Sequence, residues 1–145
     1  MVEIAPYNAA MFKAYASAFL VCKDRYGKDA ALGVMRQMFQ MNLEPAYGTD
    51  FQKGSTQDAA RVIGERDAGV GLDVRFPVIE ENRLVYEFHT DPFPTLKGKV
   101  DPREFDACYM RFKVNHLLGP DWTYAIPEHI WENGEFTQHV ITRKK

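Results

Sequence analysis

Long apolar runs are missing from this chain. No stretch of about 18 apolar residues occurs, so hydropathy offers no membrane-spanning helix. An excess of positive charge is missing as well: 18 basic side chains stand against 20 acidic ones, for a net charge of −2. Proteins that hold nucleic acid collect basic side chains on one face. The basic cluster here, Arg143-Lys144-Lys145, reads as a solvated tail, and nucleic acid is not an expected partner. Cysteine is scarce, with Cys22 and Cys108 far apart. The opening MVEIAPYNAA lacks the basic and apolar regions of a secretion signal, so both cysteines read as reduced thiols of a cytoplasmic protein. The patterns GxGxxG, GxxxxGKS/T, GxSxG, SxxK, HExxH and CxxC are all absent, and with them the expectation of a nucleotide cofactor or a metal. Internal repeats, low-complexity segments and linkers are absent too, which leaves one domain over residues 1–145.

What is present is strongly patterned. Asn8 is placed to cap a helix that starts near Ala9, and Phe12, Tyr15, Phe19, Cys22 and Tyr26 recur at helical steps up to Gly27. Leu32, Met35 and Phe39 mark a second helix over 29–42, paired antiparallel with the first. Ser55 with Asp58 starts a third, through Arg66. After Gly69 the period falls to two. Leu72, Val74, Phe76 and Val78 alternate with polar residues, and Pro77 marks that strand as an edge or as bulged. EENR turns the chain into LVYEFHT, with Leu84, Tyr86 and Phe88 on one face and Val85, Glu87 and His89 on the other. Asp101-Pro102-Arg103-Glu104 opens a helix that runs to about Leu117. Two short strands are then expected around Asn133-Gly134, the strongest short hairpin signal. The expected fold is α+β. A helical half (8–67) packs on an antiparallel sheet of two hairpins with one further helix between them (70–143).

Chemistry is concentrated in FDACYMRFKVNH, residues 105–116, where Asp106, Cys108 and His116 crowd together. On a helix, Asp106 points about 200° away from Cys108, and His116 lies roughly 12 Å along the axis, so the three do not form a triad. Cys108 reads either as a small buried core residue or as a thiolate facing a pocket between helix and sheet, with His89 or His139 as its base. Glu87 shares the strand face of His89. His129 and His139 flank Asn133-Gly134 nearly symmetrically and read as a surface pair of cross-strand neighbours; a metal held with Glu128 or Glu135 lacks a supporting motif. The 10 Phe, 7 Tyr and 2 Trp are compatible with a cavity for a flat or apolar small molecule, with Arg75, Tyr86, Tyr109 and Tyr124 as candidate contacts beside Glu87 and His89. Ile126, Ile130, Trp131 and Phe136 suggest more apolar surface than one sheet face hides, hence a homodimer through that edge or the long helices.

Tyr26-Gly27, the segment FDACY (105–109) and WENGEF (131–136), in this order of elements, resemble the bacterial family named for L-2-amino-thiazoline-4-carboxylic acid hydrolase. The resemblance implies a small-molecule hydrolase that opens a cyclic C=N bond. Cys108 would be the nucleophile, His89 or His139 the base, and Glu87 or Asp106 the orienting carboxylate. Relatives in that family often carry further cysteines where this chain has HTDPF and TQHV. The layout also resembles small-ligand-binding domains named after vinyl reductase, which implies instead a non-enzymatic sensor or carrier with an aromatic cavity between helices and sheet.

Overall fold

The computed structural model describes residues 3–145. Its elements run α1 (Ala9–Tyr26), α2 (Lys28–Tyr47), α3 (Thr56–Gly69), β1 (Val74–Glu80), β2 (Arg83–Phe88), α4 (Pro102–Leu117), β3 (Trp122–Glu128) and β4 (Thr137–Arg143). Short 3-10 turns cover Pro94–Leu96 and Ile130–Glu132. The α+β class and the two hairpins expected from periodicity are present. No described helix is long and apolar enough to cross a membrane.

Local chemistry sets most boundaries. The Asn8 side chain accepts from Met11 N at the start of α1. Ser55 Oγ accepts from Asp58 N at α3, and Asp101 accepts from both Arg103 N and Glu104 N at α4. Each carboxyl, amide or hydroxyl oxygen fills an amide donor that the first turn leaves unpaired. Helix α2 continues past the expected Asn42 to Tyr47, passing through Pro45, and ends at Gly48 with φ 65. Near a helix end the ring of a proline costs one ladder bond, which burial of Leu43 and Tyr47 offsets.

The sheet order is β1-β2-β4-β3, with every neighbouring pair antiparallel. Strands β2 and β3 therefore run parallel with β4 between them, so β2, α4 and β3 form a split crossover that lays α4 on one face. Phe76 and Pro77 together oppose Tyr86, and Ile126 and Pro127 together oppose His139. Both edge strands are thus bulged at a proline, which increases local twist and blunts the edges against pairing.

The Asn133-Gly134 pair is not a two-residue hairpin turn. Asn133 takes a left-handed φ of 66 at the end of the 3-10 turn, and β4 begins only at Thr137. A Cβ on Gly134 would come 2.7 Å from His129 O, so the dipeptide serves a tight return of the chain rather than strand pairing. This loop also folds its apolar residues inward. Ile126 and Trp131 are buried, while Ile130 and Phe136 are only partly exposed, so the expected apolar surface at this edge is mostly interior.

The core lies between the helices and the sheet face that carries Leu84, Tyr86 and Phe88. Phe93, from the loop after β2, plugs its middle and meets the rings of Phe12, Phe39 and Phe105 at centroid distances of 5.5, 6.0 and 5.1 Å. Such edge-to-face packing adds about 0.5–1.5 kcal/mol per pair to the burial itself.

Candidate functional site

The residues singled out in the sequence separate into several places. Cys108 is buried on the side of α4 that faces α2, where its Sγ donates to Leu32 O at 3.5 Å and Glu104 O at 3.7 Å. The sheet supplies no partner there; Cys108 instead sits under a groove with Arg36, Arg111 and His116. Burial is the main reason its thiol is pushed up to about 11.

Glu87 and His89 do come together. His89 Nε2 lies 3.0 Å from Glu87 Oε1, Gln138 Nε2 donates to Glu87 Oε2 at 3.3 Å, and the His89 ring stacks on Phe136 at 4.8 Å. Arg75 faces Glu87 across the strands but pairs with Asp73 at 2.9 Å. By strand alternation this cluster occupies the sheet face opposite Tyr86, away from Cys108. Tyr124 belongs to a third place, a shallow groove on β3 shared with Arg103 and Arg111.

His129 and His139 are not a surface pair. His139 is fully buried and faces Tyr86 across the central strands, whereas His129 is buried against α4 with Nε2 2.8 Å from Asp106 Oδ2. Trp131 N donates to His129 Nδ1 at 3.0 Å. That bond leaves the proton on Nε2, so a neutral His129 donates to the Asp106 carboxylate. Burial raises the Asp106 pKa, against the lowering effect of His129.

The strongest concentration of buried polar chemistry involves residues that periodicity did not single out. Asp67 on α3 is fully buried. Its Oδ1 accepts from Arg66 at 3.0 Å and its Oδ2 accepts from the Tyr86 hydroxyl at 2.6 Å. Lys113 on α4, also buried, donates to Tyr86 Oη at 3.0 Å and stands 3.8 Å from Asp67 Oδ2. Its ammonium lies over the rings of Tyr109, Tyr86 and Phe88, at 4.9, 5.1 and 5.4 Å. Burial lowers Lys113 to about 8, although Asp67 pulls the other way. Burial first and Asp67 second raise Tyr86 well above its usual value.

A cavity opens beside this network, bounded by Phe12, Phe39, Leu72, Phe88, Phe93 and Tyr109, with Arg66 and Lys113 as its charged wall. Its inner space is about 20 Å³, enough for the centre of about one water. Tyr7 Oη donates to Pro92 O at 3.1 Å and ties the N-terminal segment to the loop that carries Phe93. Among the described residues no group of three or more His, Cys, Asp or Glu is arranged to hold a metal.

Of the expected contacts, Tyr86 and Tyr109 belong to this site. Helical phase carried a signal for the rest. Asp67 follows Thr56, Ala60 and Ile63 on the buried stripe of α3, and Lys113 follows Phe105 and Tyr109 on that of α4. A charge in a core phase implies a buried partner.

Family models, curated proteins and solved structures give no match to this chain. The functional reading therefore rests on the site alone.

Proposed function

We propose that this protein binds a small, largely apolar molecule in the aromatic cavity between its helices and its sheet, as a sensor or carrier. The observation that supports this reading is the cavity wall. Phenyl rings from α1, α2, β2 and the Phe93 loop line it, together with a lysine, an arginine and a tyrosine. Such a mix of apolar lining with few oriented polar groups is what small-ligand sites show. In the closed form the inner space is small, so a ligand enters by moving Phe93 and the Pro92 segment that Tyr7 holds.

Hydrolysis of a cyclic C=N bond by Cys108 has less support. The thiol is turned toward backbone carbonyls of α2 and α4, and at a pKa of about 11 its nucleophilic form is scarce near neutrality. Neither His89 nor His139 is among its hydrogen-bond partners.

Thermal-shift and native mass measurements with a panel of small aromatics test the binding reading. Stabilisation is expected, larger for Phe93→Leu, which widens the cavity, and absent for Leu72→Phe, which fills it. A panel that leaves both the wild type and Phe93→Leu unshifted overturns the proposal.

A cytoplasmic location and a homodimer belong to this proposal too. Exposed Val21, Tyr26, Val34 and Met41 on α1 and α2 support self-association there better than the bulged sheet edges do. Sedimentation velocity decides it, and a single monomer boundary at high concentration rules the dimer out.

A further inference from the structure

Among the described residues that line the cavity are two cations and no carboxylate. Lys113, buried, and Arg66, partly exposed, flank the buried carboxylate of Asp67, whose oxygens already accept from Arg66 and Tyr86. Buried charges are ordinarily paired. The other groups around the ammonium leave the cavity wall itself without an anion. Tyr86 on β2 and Tyr109 on α4 stay protonated, because burial raises both. His139 on β4 is neutral, held down by burial. The charge of Asp106 on α4 reaches the ammonium, but this carboxylate is held by His129 and is not part of the cavity lining.

Unfilled donors gather in the same place. An ammonium has three N–H groups, and Lys113 makes one hydrogen bond among the described residues, to Tyr86. Its distance of 3.8 Å from Asp67 is too long to count as another. The Tyr47 hydroxyl, one turn beyond cavity-lining Leu43, is buried without any partner, yet is near enough for Asp67 and Arg66 to act on it. Donors without acceptors beside two cations of the cavity wall point to an anionic acceptor.

We infer that the charged wall of the cavity is a subsite for a monoanion, a carboxylate carried by the apolar ligand, bound between Lys113 and Arg66. This rests on the binding function proposed above and names the chemical class of its ligand. The small inner space suits the head group, while the ring or chain of the ligand takes the volume that Phe93 vacates. Binding gives the spare Lys113 donor an acceptor. The bound anion also favours the charged amine, so Lys113 takes up a proton on binding when the pH is above about 8.

Calorimetry with benzoate and its uncharged isosteres, benzamide and benzyl alcohol, separates the possibilities. Benzoate is expected to bind at least about tenfold more tightly than either, the worth of one charge-assisted hydrogen bond. Lys113→Met should remove that preference, so that benzoate binds no more tightly than benzyl alcohol does to the same variant. Carbon-13 labelling of lysine in the wild type gives a second readout, in which benzoate raises the Lys113 titration midpoint. Equal or tighter binding of the uncharged isosteres, with no movement of that midpoint, overturns the anion subsite and leaves the cavity reading standing. Failure of all three compounds to bind the wild type and Phe93→Leu removes both.

Discussion

Tyr86 and His139 are partners across the two central strands, with rings stacked at 5.0 Å and His139 Nδ1 3.2 Å from Tyr86 O. A carbonyl only accepts, so the proton of His139 is on Nδ1. Its Nε2 is a buried acceptor without a partner. This pair sits where the proline bulges of the edge strands converge, and it forms the floor beneath Lys113.

Acid stability follows from that floor. His139 titrates at about 3 in the folded protein against 6.5 as its usual value, chiefly through burial. Between these pH values the unfolded chain binds more protons, so stability rises with pH across the window and is lost as pH falls through it. The contribution is on the order of 4 kcal/mol. Urea titrations at several pH values should show this slope in the wild type and its loss in His139→Phe.

The Lys113 network predicts a slope of the same sign at high pH. A folded pKa of about 8 against 10.5 means that the unfolded chain holds the extra proton between those values. This group therefore destabilises the fold below pH 8, and the penalty disappears as pH rises toward 10.5. Cys108 and the buried tyrosines oppose it above about pH 9, because their folded pKa values are raised. The difference between wild type and Lys113→Met isolates the effect, and the wild type should gain on the variant by on the order of 3 kcal/mol.

Removing Asp67 alone should be costly. Asp67→Ala leaves buried Lys113 and partly exposed Arg66 without their carboxylate and should lower stability by about 3–5 kcal/mol. Adding Lys113→Met should recover part of that loss, because one uncompensated charge is removed with it. Equilibrium denaturation of the two single variants and the double variant measures the interaction.

Cys108 should resist alkylation in the native state near pH 7, since it is buried and its thiol is pushed up to about 11. Cys22, partly exposed, should label sooner. Mass-resolved iodoacetamide labelling reads both, and rapid native labelling of Cys108 would contradict the packing described for α4.

Asp106 and His129 staple the β3–β4 connection to α4. Asp106→Ala leaves a buried imidazole N–H unpaired and should cost about 2–3 kcal/mol. Hydrogen exchange should then rise first in the 129–136 loop, which this contact holds.

The sequence by itself determined the elements and their order. Capping groups at Asn8, Ser55 and Asp101 act within one turn of chain, and the alternation of Leu84, Tyr86 and Phe88 requires only a buried sheet face. Pro77 likewise announced an edge or a bulge, and β1 has both. These are signals between near neighbours, so they survive in a one-dimensional reading. Partners distant in sequence were decided only by the tertiary structure. The return of β4 between β2 and β3 buried His139 against Tyr86, and the docking of α3 against β1 and β2 brought Asp67 to Lys113. Cys108 turned toward α2 rather than the sheet, because packing of both helix faces left α4 few exposed positions. Helical phase reveals that a charge is buried, but its partner depends on which elements meet, and that is settled by the packing of the whole chain.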